Sequence, residues 1–223
     1  MKPKPLLTAV ITLLVCVGCG QSPARPGPAV PVPATTPATA VSATPSPPSS
    51  PSASPSSSAF PAVPDPSDAL DVSTTVTKAG FASFASPSGK IWCAIYAEDA
   101  LCHFPYDYSG AIPGSESVCP GETELDVTGV MVDAESVGYF CSGDPEANPA
   151  LEDSDSVATT AWWKATGWPS VKLDGRKLAT LPYGKALTSG NFVCVSLTSG
   201  VRCADTANGK TFQMARAGVQ TTG

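Results

Sequence analysis

The cysteines are the residues of this 223-residue sequence with the clearest chemistry. Two of the eight, Cys16 and Cys19, follow an apolar segment at the N-terminus. The other six are Cys93, Cys102, Cys119, Cys141, Cys194 and Cys203. An even number of cysteines in an exported domain indicates three disulfides. Metal binding is disfavoured because none of these six has Cys-x-x-Cys spacing and the sequence has one histidine. We therefore expect no metal and no cofactor.

The spacing of the six cysteines predicts how they pair. Eight residues separate the first two, and eight residues also separate the last two. Each of these pairs follows a Ser-Gly turn and a short apolar run. A hairpin with a four-residue loop, at 96–99 and again at 197–200, places the two cysteines of a pair directly opposite each other. The predicted disulfides are Cys93–Cys102, Cys194–Cys203 and, by elimination, Cys119–Cys141.

The N-terminal segment is typical of an exported protein. Residues 6–17 form an apolar run of 12 residues that follows a positively charged N-terminus. This run is shorter than the roughly 20 residues of a membrane-spanning helix and fits a signal peptide. Gly18 directly before Cys19 resembles the lipobox of bacterial lipoproteins, although Cys16 stands where leucine is usual. The resemblance implies cleavage before Cys19 and lipidation of its thiol, which anchors the chain to the membrane. An ordinary secretory leader is the alternative.

Composition divides the remaining chain into a tether and a domain. Residues 23–66 contain 14 prolines among alanine, serine, threonine and valine, with two charged residues. This composition predicts a disordered tether. We therefore assign residues 1–18 to the signal peptide, 19–22 to the lipidated N-terminus, 23–66 to the tether and 67–223 to the six-cysteine domain. A domain of that length can bury a hydrophobic core.

The charges of the domain are unevenly distributed. No lysine or arginine lies between Lys90 and Lys164, whereas 14 aspartates and glutamates do. From Lys164 onward there are eight basic residues and two acidic ones. Either the two halves face and neutralise each other, or one of them is a charged face for a partner. The net charge of −6 argues against nucleic-acid binding.

Short runs of alternating apolar residues predict an antiparallel, mainly β domain. These runs lie at 125–127, 130–132, 137–141 and 212–214. Residues 156–164 are the one predicted helix, with Ser156 as its N-cap. The expected fold class is a small, disulfide-stapled β domain resembling a sandwich or a barrel, after a disordered linker.

His103 is the only histidine and the one candidate for acid–base catalysis. A hydrolase would pair His103 with Asp99 or Asp107 and with a serine. No Gly-x-Ser-x-Gly motif follows a predicted strand. A lone histidine beside a cysteine at a strand end is more often structural, so we expect no catalytic residue.

Three tryptophans, Trp162, Trp163 and Trp168, lie within seven residues of each other. They either hold a loop against the core or form an exposed surface that stacks on sugars or docks a partner. We take them as the candidate binding residues. Five carboxylates in the neighbouring segment 144–155 include types that bind Ca²⁺, but they lack EF-hand spacing. A solvated loop is therefore expected there.

Several motifs together resemble a known domain. They are Phe-x-Ser-Pro-Ser-Gly-x-Ile-x-Cys at 84–93, Leu-Pro-Tyr-Gly at 181–184, Ser-Gly-x-Phe-x-Cys-x8-Cys at 189–203, and Gly209, Phe212 and Arg216. The chain resembles the six-cysteine domain of actinobacterial, mycobacterial-type cell-envelope lipoproteins and of some sensor-kinase ectodomains. It departs from that pattern at 209–211, where the family often has Gly-His-Gly, and in a longer insertion at 146–172. That domain has no established activity, so the resemblance implies an envelope location and a fold.

These observations combine into one functional hypothesis. We expect a monomeric lipoprotein that is anchored to the cell membrane by its N-terminal lipid and lies on the extracytoplasmic face. Its domain is expected to be a non-enzymatic binding module for an envelope protein or a cell-wall ligand, without affinity for nucleic acid. An envelope hydrolase using His103 and a purely structural envelope protein are the alternatives.

Overall fold

Two β-sheets form the framework of the part of the chain that the computed structural model describes, residues 63–144 and 146–223. The strands are β1 (Leu70–Asp71), β2 (Phe81–Ala85), β3 (Trp92–Tyr96), β4 (Asp99–His103), β5 (Asp126–Asp133), β6 (Val137–Ser142), β7 (Val171–Leu173), β8 (Arg176–Leu178), β9 (Ala186–Ser189), β10 (Phe192–Leu197), β11 (Gly200–Asp205), β12 (Thr211–Ala215) and β13 (Gly218–Thr222). One sheet has the order β1-β9-β10-β11-β12-β13 and the other β2-β3-β4-β5-β6, while β7 and β8 form a separate hairpin. The expected fold class, mainly β with antiparallel sheets, is confirmed; β1 and β9 are a parallel exception.

The helical elements are short. They are the α-helices α1 (Ser73–Ala79) and α2 (Ser115–Val118) and the 3-10 helices Pro66–Asp68 and Ala161–Ala165. Helix α1 ends at Gly80, whose positive φ of 88° allows its N–H to donate to the carbonyl oxygen of Val76 at 2.8 Å. Within the described residues, no helix is long and apolar enough to cross a bilayer.

The core lies between the two sheets, where β10, β11 and β12 pack against β3, β4 and β5. Side chains alternate along each strand, so every second residue faces this space. The buried residues that meet there include Cys93, Ile95, Cys102, Val130, Val132, Leu187, Cys194, Val201, Cys203, Phe212 and Met214. Removing these side chains from water is the main force that holds the sheets together.

Two of the three disulfides lie inside this core. Cys93 faces Cys102 across β3 and β4 at a Cα–Cα distance of 4.0 Å, and Cys194 faces Cys203 across β10 and β11 at 4.1 Å. Both predicted pairs are confirmed. The predicted four-residue loops are wrong, because the strands continue further and leave two-residue turns at 97–98 and 198–199. The predicted pairing of the cysteines is unchanged, because each of the two strands of a hairpin extends by one residue into the predicted loop.

The third disulfide joins Cys119 to Cys141, as elimination predicted, at a Cα–Cα distance of 6.4 Å. Cys119 directly follows helix α2, and Cys141 lies in β6, the edge strand of its sheet. Both residues are partly exposed. This bond therefore ties the connection between β4 and β5 to the sheet edge from outside the core.

The predicted helix at 156–164 is wrong. Turns occupy its first part, and the 3-10 helix Ala161–Ala165 follows. The Ser156 hydroxyl donates to a backbone carbonyl instead of accepting from a helix N–H. The hydroxyls of Thr159 and Thr160 both donate to the Ser156 carbonyl at 2.9 Å. Side-chain hydroxyls that bond to the local backbone compete with regular helix, which explains the difference.

The hairpin of β7 and β8 was not predicted. Its two-residue turn is Asp174-Gly175, and Leu173 pairs with Arg176 across it. Both turn residues have positive φ, 49° for Asp174 and 81° for Gly175. An Asp-Gly pair is a preferred sequence for such a turn. The hairpin packs on the edge of the β2–β6 sheet through Leu178, which is fully buried.

We predict that replacing Cys194 and Cys203 together by alanine lowers the free energy of unfolding by about 3 kcal/mol. The crosslink closes a short loop in the unfolded chain, and both sulfurs are buried. Urea unfolding followed by circular dichroism measures the change. A double variant with an unchanged urea midpoint would contradict this role.

We also predict that Gly129→Ala destabilises the domain by about 2 kcal/mol or more. A Cβ at Gly129 collides with the carbonyl oxygen of Cys102 and lies 2.6 Å from the ring of Phe140. Gly138→Ala, on the paired strand, is the matched control, because a Cβ there meets nothing within 4 Å. Thermal unfolding of both variants tests this, and equal melting temperatures would argue against the collision.

Candidate ligand-binding cleft

The predicted tryptophan surface is mostly part of the core. Trp162 is buried, and its indole N–H donates to the carbonyl oxygen of Ser83 at 3.1 Å. Trp168 meets the Trp162 ring edge-on, with the ring centroids 6.0 Å apart. Trp163 and Trp168 are partly buried against the same core. The predicted binding role is therefore corrected for Trp162, which has too little exposed surface to meet a ligand.

His103 has its ring nitrogens engaged by the backbone. Its Nε2 accepts a hydrogen bond from the backbone N–H of Glu146 at 3.2 Å, and the ring also bonds to the backbone of Thr128. Burial lowers the pKa of His103, against smaller opposing effects of the Glu146 charge and the Thr128 bond. The ring also packs edge-on against Phe140. A buried, neutral imidazole with these bonds is a structural group.

The two carboxylates considered as partners of His103 have other contacts. Asp107 accepts from Lys90 at 2.7 Å and lies 3.1 Å from the Nε of Arg216. The hydrogen bond from Lys90 is the main reason that the pKa of Asp107 lies below its ordinary value. Asp99 lies opposite Asp133 in the register of β4 and β5. Within the described residues, the structure therefore gives no catalytic triad around His103.

The acidic segment contacts the basic half of the chain. Glu152 lies 3.7 Å from the Nζ of Lys177, and Asp153 lies 3.6 Å from a guanidinium nitrogen of Arg176. No cluster of potential metal ligands occurs among residues 63–144 and 146–223. Together with the contact between Asp107 and Arg216, these ion pairs join the acidic and basic halves at three acidic residues.

Asp99 carries the most perturbed carboxyl group of the described chain. Burial raises its pKa to about 6, and the charges of Asp133, Glu146 and Glu98 act in the same direction. Burial also tends to raise the pKa of Asp133, but hydrogen bonds from Ser136 and Glu135 outweigh it, so that pKa is lowered. The carboxyl group of Asp99 therefore stays protonated to a higher pH than that of Asp133.

A cleft of about 500 Å³ opens where β3 begins and β4 ends, beside the tip of the β7–β8 hairpin. Its lining includes Trp92, His103, Phe104 and Tyr106 on one side, Leu173, Asp174 and Arg176 on the other, and Lys90. Its volume falls in the range of small-molecule sites, about 300–1,000 Å³. Of the side chains that sequence patterns singled out as candidates, this cleft contains His103 alone.

The aromatic side of the cleft is held by the sheet. Trp92 pairs with His103 across β3 and β4, and its indole N–H donates to the carbonyl oxygen of Gly89 at 2.7 Å. Phe104 stacks on Tyr108, with the ring centroids 4.5 Å apart. Tyr106 is fully exposed. The rings of Trp92 and Phe104 are thus held by neighbouring groups, whereas the ring of Tyr106 is surrounded by solvent.

The polar side of the cleft is held by the hairpin. The guanidinium carbon of Arg176 lies 5.8 Å from the centroid of the Trp92 ring, within the range of a cation–π contact. The turn fixes Asp174 directly before Gly175 in the left-handed region. Sequence reasoning missed this side, although the Asp-Gly pair between Val-Lys-Leu and Arg-Lys-Leu was a readable signal for a hairpin.

Comparison of this chain with protein-family models, with curated proteins and with solved structures finds no match. Lipidation at Cys19, the signal peptide at 1–18 and nearly all of the tether at 23–66 lie outside the described residues. They stay predictions. The functional interpretation therefore depends on the geometry and chemistry of the cleft.

Asp99 predicts an unusual pH dependence of stability. Its pKa is about 6 in the fold against an ordinary value of 3.8, so the folded state binds more protons between those values. The free energy of unfolding should therefore fall as pH rises from about 4 to 6. We expect Asp99→Asn to remove this fall and to stabilise the domain at pH 7 by about 1 kcal/mol, after allowance for solvent screening.

Chemical unfolding at a series of pH values measures this effect. Asp126→Asn changes an exposed carboxylate at the other end of β5 and is the matched control. It should keep the pH dependence of the unsubstituted protein. An Asp99→Asn variant that still loses stability between pH 4 and 6 would show that another group is responsible.

Proposed function

We propose that this chain is a lipid-anchored protein of the bacterial cell envelope whose domain is a non-enzymatic binding module outside the membrane. The observation that carries the proposal is the set of three disulfides, two of them in the core. Disulfides form and persist in oxidising compartments and are rare in the cytosol. They support an extracytoplasmic location for the domain.

The anchor is supported by the sequence that precedes the domain. A short apolar segment ends in Gly18-Cys19, which resembles a lipoprotein cleavage site. A diacylglycerol with a further acyl chain gives stable attachment where a single chain does not. The proline-rich residues 23–66 then act as a spacer, since proline-rich chains are extended. The domain is thereby presented to ligands beyond the membrane surface.

Binding is favoured over catalysis by the state of the candidate groups. His103 is buried, its pKa is lowered and its ring is bonded to the backbone. The cysteines of the domain form disulfides and so offer no thiolate nucleophile. The cleft beside Trp92 supplies concave aromatic and polar surface, which is suited to holding a ligand.

We predict that the chain expressed in a bacterial host incorporates an alkyne-tagged fatty acid and fractionates with membranes. Cys19→Ala should lose the label, because the acceptor thiol is gone. Cys16→Ala is the matched control and should keep the label. Mass spectrometry of the mature N-terminal peptide identifies the acylated residue. An unlabelled chain, or a Cys19→Ala variant that keeps its label, would refute the anchor.

A further inference from the structure

We infer that the cleft between the β7–β8 hairpin and the edge where β3 begins and β4 ends binds a neutral saccharide. This inference rests on the proposed binding function and names its ligand class. The cleft offers aromatic faces together with a balanced set of hydrogen-bond donors and acceptors. A sugar ring has the complementary character, with apolar C–H faces and a rim of hydroxyls that both donate and accept.

The aromatic faces come from side chains that are differently exposed. Trp92 is half-buried and fixed by its hydrogen bond to Gly89, so the part of its ring that Arg176 leaves uncovered is rigidly placed. Tyr106 lines the same cleft, and its side chain is fully exposed. Aromatic rings contribute large contact area at low entropic cost, because few torsions are lost. Two such rings at a cleft are therefore a suitable base for stacking.

The charges around the cleft are arranged in compensated pairs. Lys90 is paired with Asp107, and Arg176 lies near Asp153. Asp174 adds a carboxylate at the hairpin tip. Asp174 repels a ligand with a net negative charge, and Lys90 and Arg176 repel one with a net positive charge. A neutral ligand with many hydroxyls avoids both penalties and uses both kinds of group.

The polar groups are also held in place before a ligand arrives. Arg176 is restrained by the Trp92 ring and by Asp153. The two-residue turn fixes the backbone of Asp174. Groups that are ordered in advance lose less entropy on binding. This preorganisation is expected of a site and is unusual for long side chains on an exposed surface.

The test is isothermal titration calorimetry with the mature full-length chain, purified in a detergent that has no sugar head group. The probes are tetrasaccharides of N-acetylglucosamine, glucose, mannose, galactose and arabinose. Two charged counterparts are included, the cationic glucosamine tetramer and the anionic galacturonate tetramer. Each differs from a neutral probe mainly in charge. The expected result is that at least one neutral tetrasaccharide binds, with at least tenfold higher affinity than either charged tetramer.

Variants then locate the site. Tyr106→Ala should weaken binding at least tenfold, whereas Tyr106→Phe should stay within twofold, because the ring is retained. Trp92→Phe tests the second ring with less risk to folding than alanine. Tyr183→Ala removes a half-exposed ring that does not line this cleft, so it should leave the affinity unchanged. Thermal unfolding of every variant confirms that the domain is folded.

Three results would overturn the inference. They are the absence of binding to all five neutral tetrasaccharides at millimolar concentration, tighter binding of a charged counterpart, and equal loss in Tyr106→Ala and Tyr183→Ala. None of them affects fatty-acid labelling of Cys19. A failure of the saccharide site is therefore distinguishable from a failure of the proposed anchor.

Discussion

Two buried disulfides set the register on which the rest of the domain depends. Each joins directly opposed residues of neighbouring strands, Cys93–Cys102 in one sheet and Cys194–Cys203 in the other. Because side chains alternate along a strand, a slip of one residue would turn the core face of β3 outward and bring Trp92 inward. The crosslinks exclude such a slip. They thus determine which residues form the core and which remain outside it.

The cleft is a consequence of that register. With Cys93 pointing into the core, Trp92 points to the opposite face of its sheet, directly across from His103. The β7–β8 hairpin packs beside this face through Leu178 and brings Arg176 over the Trp92 ring. A rigid sheet therefore supplies the aromatic side, and a tight turn supplies the polar side. Neither element forms the cleft alone.

Ion pairs bring part of the acidic half of the sequence into contact with the basic half. Contacts such as those of Arg176 with Asp153 and of Arg216 with Asp107 join the basic half to the acidic half. Exposed pairs of this kind contribute little to stability, typically 0–1 kcal/mol each. Their larger effect is local, because they neutralise the surroundings of the cleft. The Asp99–Asp133 pair is the contrasting case, with like charges opposed across β4 and β5.

The sequence alone determined the fold class and two of the disulfides, because alternation and equal spacing are properties of short stretches of chain, and the third disulfide followed by elimination. Strand ends and the segment 156–164 were predicted incorrectly, since local turns and side-chain hydroxyls decide them. The cleft was decided only by the tertiary structure. Arg176 lies far along the chain from Trp92 and Tyr106, and packing of the β7–β8 hairpin on the sheet brings it beside them. The burial of Trp162 likewise could not be predicted from the sequence. A tryptophan that packs in the core and one that binds a ligand give the same sequence pattern, and only the tertiary contacts distinguish them.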